Sequence, residues 1–169
     1  MTLSLNVSKT VGPGNPAGSY LKTDNYSGVF IDVAPGTFGS SPEAHCGVAF
    51  FCDGVPTNAP DNVPWTGQAR GITFYADHRI CWEDWTGNGN ENHDHIPGAY
   101  WEEGVIYLVT ATYTATDVGL GVYKTDSTGI VALVASAIRT RPSSGKGTHA
   151  CVFSSDGGTI GCCPKALYG

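Results

Sequence analysis

One stretch of the chain concentrates the side chains that could bind a polar ligand. All four tryptophans lie between residues 65 and 101, and the rest of the chain has none. The same stretch carries carboxylates, imidazoles and the amide-rich run TGNGNEN (86–92). Flat rings supply apolar contact and polar groups fix orientation, the combination that a ring-shaped polar ligand such as a sugar requires. We therefore expect the ligand site in this stretch.

The candidate ligand-binding residues are aromatic and polar side chains spread over strands and loops. Trp65 follows a proline in a long loop, which favours exposure. Trp82 and Trp85 are three residues apart, so an extended strand places them on opposite faces and at most one points into the core. Packing of all four tryptophans in the core remains the alternative. The full set is Trp65, Tyr75, Asp77, His78, Arg79, Trp82, Trp85, Asn88 and Asn90.

Two charges within this set have two possible uses. Asp77 and Arg79 are two residues apart, so a strand places them on one face. An exposed pair of this kind either holds a sugar diol through bidentate hydrogen bonds or forms a solvated salt bridge that contributes little. The sequence leaves both uses open.

A second group of side chains has the composition of a cation site. Amide and carboxylate oxygens suit Ca²⁺, and the spacing His-x-His suits zinc or another transition metal. The order of an EF-hand loop is missing, and a polar turn explains the same composition. The candidate ligands of a divalent cation are Asp84, Asn92, His93, Asp94 and His95.

Charge and hydropathy exclude several classes of partner. The 169 residues include nine Lys+Arg against 15 Asp+Glu, for a net charge of −6. No basic face for nucleic acid or an anionic membrane is therefore expected, and no apolar run is long enough to span a bilayer. The first residues, MTLSLNVSKT, lack the pattern of a secretory signal. We expect an extracellular or virion-associated protein, the latter released by cell lysis. The six cysteines fit buried thiols or disulfides equally well.

Strand-like runs separated by Gly, Pro, Asn and Ser recur along the whole chain, and helical periodicity is nearly absent. The clearest run is VIYLVTATYTA (105–115), and TDSTG (125–129) has the composition of a hairpin turn. Long loops are expected at 34–45, 54–68, 84–104 and 139–148, where binding residues commonly lie. The sequence predicts one domain over residues 1–169. Its fold class is all-β, an antiparallel two-sheet jelly-roll sandwich with long loops and little or no helix.

Residues 70–136 resemble the concanavalin A-like, laminin-G-like sandwich. The resemblance lies in Trp101, Gly104, Tyr107 and Val109, followed by a hairpin with Gly121 and Tyr123. It implies a jelly roll whose concave face or rim loops bind glycans. The acidic strand motif of the glucanase branch and the lyase motifs are missing, so the resemblance does not extend to activity.

The function predicted from these features is non-catalytic carbohydrate binding. The partner would be a glycan or cell-surface polysaccharide, bound by a homo-oligomer or beside virion proteins on a phage or virus particle. A structural capsid or fibre decoration protein is the first alternative. The second is a polysaccharide lyase or glycosidase, for which Glu83 or His78 are candidate groups, although no spacing selects a pair of carboxylates.

Overall fold

The regular secondary structure in the part of the chain that the computed structural model describes consists of β-strands. The described residues are 2–3, 9–11, 19–22, 28–36, 38, 40–52, 68–86, 91–125, 128–143, 145, 147, 149–155, 160–163 and 167–168. They contain no helix, and hence none that could cross a membrane. The strands are β1 (Thr2–Leu3), β2 (Lys9–Val11), β3 (Ser19–Lys22), β4 (Gly28–Pro35), β5 (His45–Cys52), β6 (Gln68–Tyr75), β7 (Arg79–Thr86), β8 (Glu91–Tyr100), β9 (Tyr107–Tyr113), β10 (Asp117–Thr125), β11 (Val131–Thr140), β12 (His149–Ser155), β13 (Ile160–Cys163) and β14 (Leu167–Tyr168).

Most of these strands form two six-stranded antiparallel sheets. Sheet 1 has the order β11-β10-β9-β4-β13-β2, sheet 2 has the order β3-β12-β5-β6-β7-β8, and β1 pairs with β14. Strands β10 and β11 form the hairpin predicted around 125–129. The predicted all-β sandwich of two antiparallel sheets is confirmed.

The core between the sheets follows from the alternation of apolar side chains. On β9, Tyr107, Val109 and Ala111 are buried, whereas Thr112 on the other face is exposed. Opposite them, Ile72 and Phe74 of β6 are completely buried in the same apolar cluster. Because side chains alternate along a strand, one face of each sheet builds the core and fixes how the sheets stack.

Sheet 2 is also covered on the face turned away from sheet 1, here called its outer face. Residues Cys46–Cys52 and Ala69–Tyr75 are buried without interruption, so both faces of β5 and β6 are shielded. The thiols of Cys46, Cys52 and Cys81 are buried and not in disulfides. Burial, with the Glu83 carboxylate as the second cause, raises the pKa of Cys81 to about 12.

The prediction of a long loop over residues 84–104 is wrong. Strand β7 continues to Thr86, and Glu91–Tyr100 form β8 at the edge of sheet 2. An edge strand has fewer side chains to bury, so the sequence ENHDHIPGAY lacks the apolar alternation that identifies other strands. Pro97 is tolerated because an edge strand has hydrogen bonds on one side only. The register is irregular here, and Ile96 and Ala99 reach the core.

Candidate binding cleft

The turn between β6 and β7 holds one predicted ligand residue in an unusual backbone conformation. Three residues, Ala76, Asp77 and His78, connect the strands, and His78 has φ 72°. A three-residue hairpin loop needs a left-handed residue in its last position, which is ordinarily glycine. Two hydrogen bonds hold His78 there: its N–H donates to the Tyr75 carbonyl at 3.0 Å, and its carbonyl accepts from Trp101 N–H at 2.9 Å. A strained position of this kind is common at functional sites.

The imidazole of His78 is fixed against Trp101. The two rings are stacked, with centroids 4.5 Å apart and an interplanar angle of 18°. His78 Nδ1 lies 3.0 Å from the Trp101 carbonyl oxygen. Because a carbonyl only accepts, Nδ1 carries the proton, and Nε2 is the acceptor in the neutral ring. The indole of Trp101 is buried and donates from Nε1 to the Tyr75 carbonyl at 2.8 Å. Trp101 therefore forms the rigid support on which His78 rests.

His78 and Trp101 line a cleft of about 550 Å³. Phe38, between β4 and β5, stands at a tilt beside Trp101, with ring centroids 5.3 Å apart. Glu103 is exposed at this cleft, whereas the neighbouring Glu102 forms an ion pair with Lys124. The cleft thus combines aromatic surface with a carboxylate and an imidazole acceptor. Its lining is Pro35, Gly36, Phe38, Ala76, His78, Trp101, Glu103 and Gly104.

Tyr75 lies on the outer face of sheet 2, in a buried polar cluster. Glu83, which is 3% exposed, accepts hydrogen bonds at Oε1 from Thr73 Oγ1 at 2.5 Å and from the Tyr75 hydroxyl at 3.2 Å. Burial, followed by the charge of Glu83, raises the pKa of Tyr75. The rings of His45 and His93 stand 5.1 Å and 6.2 Å from the Tyr75 ring. This arrangement keeps the phenol protonated as a hydrogen-bond donor.

Asp77 and Arg79 form the predicted pair on the surface. Arg79 Nε donates to Asp77 Oδ2 at 2.5 Å, and the Arg79 guanidinium stands 4.9 Å from the centroid of the Tyr75 ring. The Arg79 side chain is 32% exposed and the Asp77 side chain 44%, so water screens the ion pair and its contribution to stability is small. The two charges satisfy each other in this structure.

Trp82 and Asp84 lie on the inner face of β7, between the sheets. The Arg139 guanidinium of β11 lies over the Trp82 ring, 3.2 Å from its centroid, and donates from Nη2 to Asp84 Oδ2 at 2.8 Å. Arg70 Nε lies 3.1 Å from the other oxygen, Asp84 Oδ1. Both oxygens of this candidate metal ligand are thus engaged by guanidinium groups. These contacts tie sheet 1 to sheet 2.

Trp85 lies on the opposite face from Trp82, as the three-residue spacing predicts. It is only 3% exposed and packs with Ala49, Cys52 and Ala69. The ring fits over Gly71, where an added Cβ would lie 2.7 Å from Trp85 Cζ3. The side chain that faces away from the core is therefore buried as well, because the outer face of sheet 2 is itself covered.

The remaining cation candidates line up along the edge strand β8. His93 pairs in register with Glu83 and His95 with Cys81, so both imidazoles share the outer face, while the exposed Asn92 and Asp94 share the other. His95 Nε2 lies 3.0 Å from the Ala99 carbonyl oxygen. Among the residues with a described position, no three His, Cys, Asp or Glu side chains converge as metal ligands.

The predicted site residues thus separate into different surroundings. His78 lines the cleft, Tyr75 and Trp85 are buried on the outer face, and Trp82 is half-buried on the inner face under Arg139. Trp65, Asn88 and Asn90 lie outside the described residues. Phe38 and Glu103 were not among the predicted ligand-binding residues. The available sequence signal was indirect: Trp101 and Gly104 of the predicted sandwich motif flank Glu103 in sequence, and both line the cleft.

Comparison with known proteins shows likeness in structure and none in sequence. No protein-family model matches the chain, and neither does any curated protein. The carbohydrate-binding module CBM66 from Bacillus subtilis is similar with a TM-score of 0.54 and 10% identity, over 96% of this chain and 98% of that chain. Scytalido-glutamic peptidase, solved with a transition-state analog inhibitor, gives a TM-score of 0.48 and 17% identity, over 99% and 77%. The likeness to the module concerns the fold, a β-sandwich.

Proposed function

We propose that this chain is a non-catalytic carbohydrate-binding domain and that the cleft beside the β6–β7 turn is its sugar site. The observation that carries the proposal is the fixed imidazole of His78. A left-handed backbone, a hydrogen bond and a stacked indole hold it at the cleft. Such preorganisation lowers the conformational cost of binding a ligand.

The chemistry of the cleft suits a sugar ring. Phe38 offers an apolar ring to the C–H face of a pyranose, as aromatic side chains do in ligand pockets. The carboxylate of Glu103 accepts hydrogen bonds from hydroxyl groups, and His78 Nε2 accepts a further one in the neutral ring. The resemblance of 70–136 to concanavalin A-like sandwiches and the fold shared with a carbohydrate-binding module support the same assignment.

The wider setting that we propose is the surface of a phage or virus particle or another extracellular location. A small cleft binds one sugar weakly, so useful affinity requires several copies displayed together. A homo-oligomer or a particle that carries many copies supplies this multiplicity. A divalent cation held by the β7–β8 region remains part of the proposal.

A glycan array tests the proposal with the intact chain, in the presence and absence of EDTA. We expect binding that is lost in His78→Gly and reduced in Glu103→Gln. The matched control is Glu43→Gln, which removes the same charge from an exposed position outside the cleft lining. Loss of glycan binding in EDTA would support a role for a divalent cation, and binding that EDTA leaves unchanged would rule out that role.

Three results would contradict the proposal. Absence of binding in a folded parent protein would favour the structural decoration role. Equal binding by the parent and His78→Gly would show that the sugar binds outside the cleft. Shortening of a bound polysaccharide during incubation, abolished by Glu83→Gln, would show a glycosidase or lyase instead.

A further inference from the structure

The side chains that line the cleft offer hydrogen-bond acceptors to a ligand and no free donor. Of the eight described lining residues, three carry polar side-chain atoms: His78, Trp101 and Glu103. Both N–H donors in this set are engaged inside the protein, His78 Nδ1 with the Trp101 carbonyl and Trp101 Nε1 with the Tyr75 carbonyl. A ligand therefore meets the Nε2 acceptor of the neutral imidazole and the carboxylate of Glu103, which only accepts.

The main chain of the cleft is short of free donors as well. Pro35 has no N–H group. The N–H groups of Ala76, His78 and Trp101 donate to backbone carbonyls at 2.9, 3.0 and 2.9 Å. Half of the eight described lining residues thus offer a ligand no main-chain donor. Since hydrogen bonds need one donor and one acceptor, a ligand of this cleft has to bring the donors itself.

Glu103 gives the cleft a negative charge that no described residue neutralises. Its carboxylate is exposed and has no hydrogen bond or ion pair within the described part of the chain. By contrast, Glu102 is paired with Lys124, and Asp77 in the adjoining turn is paired with Arg79. The described lining contains no lysine or arginine. In a chain with net charge −6, the field at the cleft therefore favours a positively charged group.

The aromatic rings at the cleft favour the same kind of group. Phe38 is half-buried beside Trp101, with ring centroids 5.3 Å apart, and so keeps part of its surface open to a ligand. The face of an aromatic ring attracts a cation, and the attraction becomes stronger when water is displaced. A ligand with an ammonium group next to an apolar ring face can contact Glu103 and Phe38 together.

We propose that the cleft selects an amino sugar, a pyranose that carries a protonated amine, over neutral and acidic sugars. This inference rests on the proposed function, because it names the class of sugar that the same cleft takes. The ammonium group brings several N–H donors and a positive charge to Glu103, and a neighbouring hydroxyl donates to His78 Nε2. Charge-assisted hydrogen bonds are about twice as strong as the neutral ones that a hydroxyl alone would form. A uronic acid would bring a second carboxylate to Glu103 and be repelled.

Calorimetric titration with three tetrasaccharides of equal length tests the selection. The sugars are β-1,4-linked glucosamine, its fully N-acetylated form and galacturonic acid. At pH 7 and low salt, the intact chain should bind the glucosamine tetrasaccharide at least about fivefold more tightly than the acetylated one. It should bind the galacturonic acid tetrasaccharide more weakly than either. Added NaCl should reduce the preference, because salt screens the partly exposed charges.

Two variants assign the preference to one carboxylate. Glu103→Gln keeps the shape of the side chain and removes its charge, so the preference for glucosamine should fall below about twofold. Glu43→Gln is the matched control, since it removes one charge from an exposed position outside the described lining and should keep the full preference. The readout is the ratio of two affinities measured on the same protein, so it does not depend on the fraction of that protein that is folded.

The outcomes separate this inference from the proposed function. Equal or tighter binding of the acetylated or acidic tetrasaccharide would overturn the selection and leave the cleft as a sugar site. A preference for glucosamine that Glu103→Gln leaves intact would overturn it too. Binding of other array glycans, but of neither hexosamine, would overturn the selection alone. Absence of binding to every glycan would overturn both.

Discussion

Replacing His78 by glycine and by alanine separates the two roles that the structure gives this residue. Both substitutions remove the imidazole, its stack on Trp101 and its hydrogen bond to the Trp101 carbonyl. Only glycine also relieves the left-handed backbone at φ 72°. The pair of variants therefore distinguishes a side-chain contribution from a backbone contribution.

The magnitudes follow from the contacts. The stacked rings contribute about 0.5–1.5 kcal/mol and the hydrogen bond about 1 kcal/mol, and both are lost in either variant. A left-handed L-residue costs about 1–2 kcal/mol, which glycine avoids, although glycine gives the unfolded chain about 0.4–1 kcal/mol more entropy. We expect His78→Gly to be more stable than His78→Ala by about 1 kcal/mol. The alanine variant should be clearly less stable than the parent, and the glycine variant should lie between the two.

Thermal unfolding measures this difference. For a chain of this size, about 1 kcal/mol corresponds to about 2–4 °C in Tm, so the alanine variant should unfold first and the glycine variant next. Both variants should lose sugar binding equally, because both lack the imidazole. An alanine variant as stable as the glycine variant would refute the strained conformation of His78, and with it the preorganised cleft.

Three further perturbations test other parts of the structure. An added methyl group at Gly71 meets backbone and the Trp85 ring, so Gly71→Ala should lower the free energy of unfolding by about 1–3 kcal/mol. Gly119 has open space around it, so Gly119→Ala should change the free energy of unfolding by less than about 0.5 kcal/mol. Equal effects of the two substitutions in a urea titration would contradict the close packing of Trp85 on Gly71. Asp84→Ala removes the carboxylate that Arg70 and Arg139 share and leaves Arg70 with hydrogen bonds to backbone carbonyls only, so the free energy of unfolding should fall by about 3–5 kcal/mol. Arg139→Met keeps the Arg70–Asp84 pair and should cost about 1 kcal/mol. The reverse order would refute the inter-sheet network. Burial raises the pKa of Tyr75 above its ordinary value of 10.0, so the phenol keeps its proton in the folded state at a pH where the unfolded chain loses it. The contribution of Tyr75 to the free energy of unfolding should therefore be intact below pH 10 and fall as the pH rises above 10. Alkaline unfolding of Tyr75→Phe as steep as that of the parent would contradict this.

The fold was predictable because burial leaves a regular trace in the sequence. Residues 109–115 alternate apolar and polar side chains, and β9 buries Tyr107, Val109 and Ala111 on the face that this alternation indicates. Strand β8 left no such trace, because an edge strand is polar on much of both faces. The sequence ENHDHIPGAY therefore had the composition of a loop, and only its hydrogen-bonded register with β7 identifies it as a strand.

The candidate site was predictable only in part, since it depends on contacts between distant segments. His78 was a candidate for its imidazole, but its left-handed backbone and its support by Trp101 follow from the contact of the β6–β7 turn with the connection between β8 and β9. Phe38 lies in a loop that gave no chemical signal. Trp82 and Trp85 attracted attention as large rings, yet one is covered by Arg139 and the other by the packed outer face of sheet 2.

The most direct test of the sugar-binding cleft is a calorimetric titration of the best array glycan into the parent protein and into His78→Gly. The glycine variant is expected to stay folded, so a change in affinity reports on the cleft rather than on stability. We predict saturable binding by the parent and an affinity at least about tenfold weaker in the variant. Equal affinities in the two proteins would contradict the assignment of the cleft as the carbohydrate site.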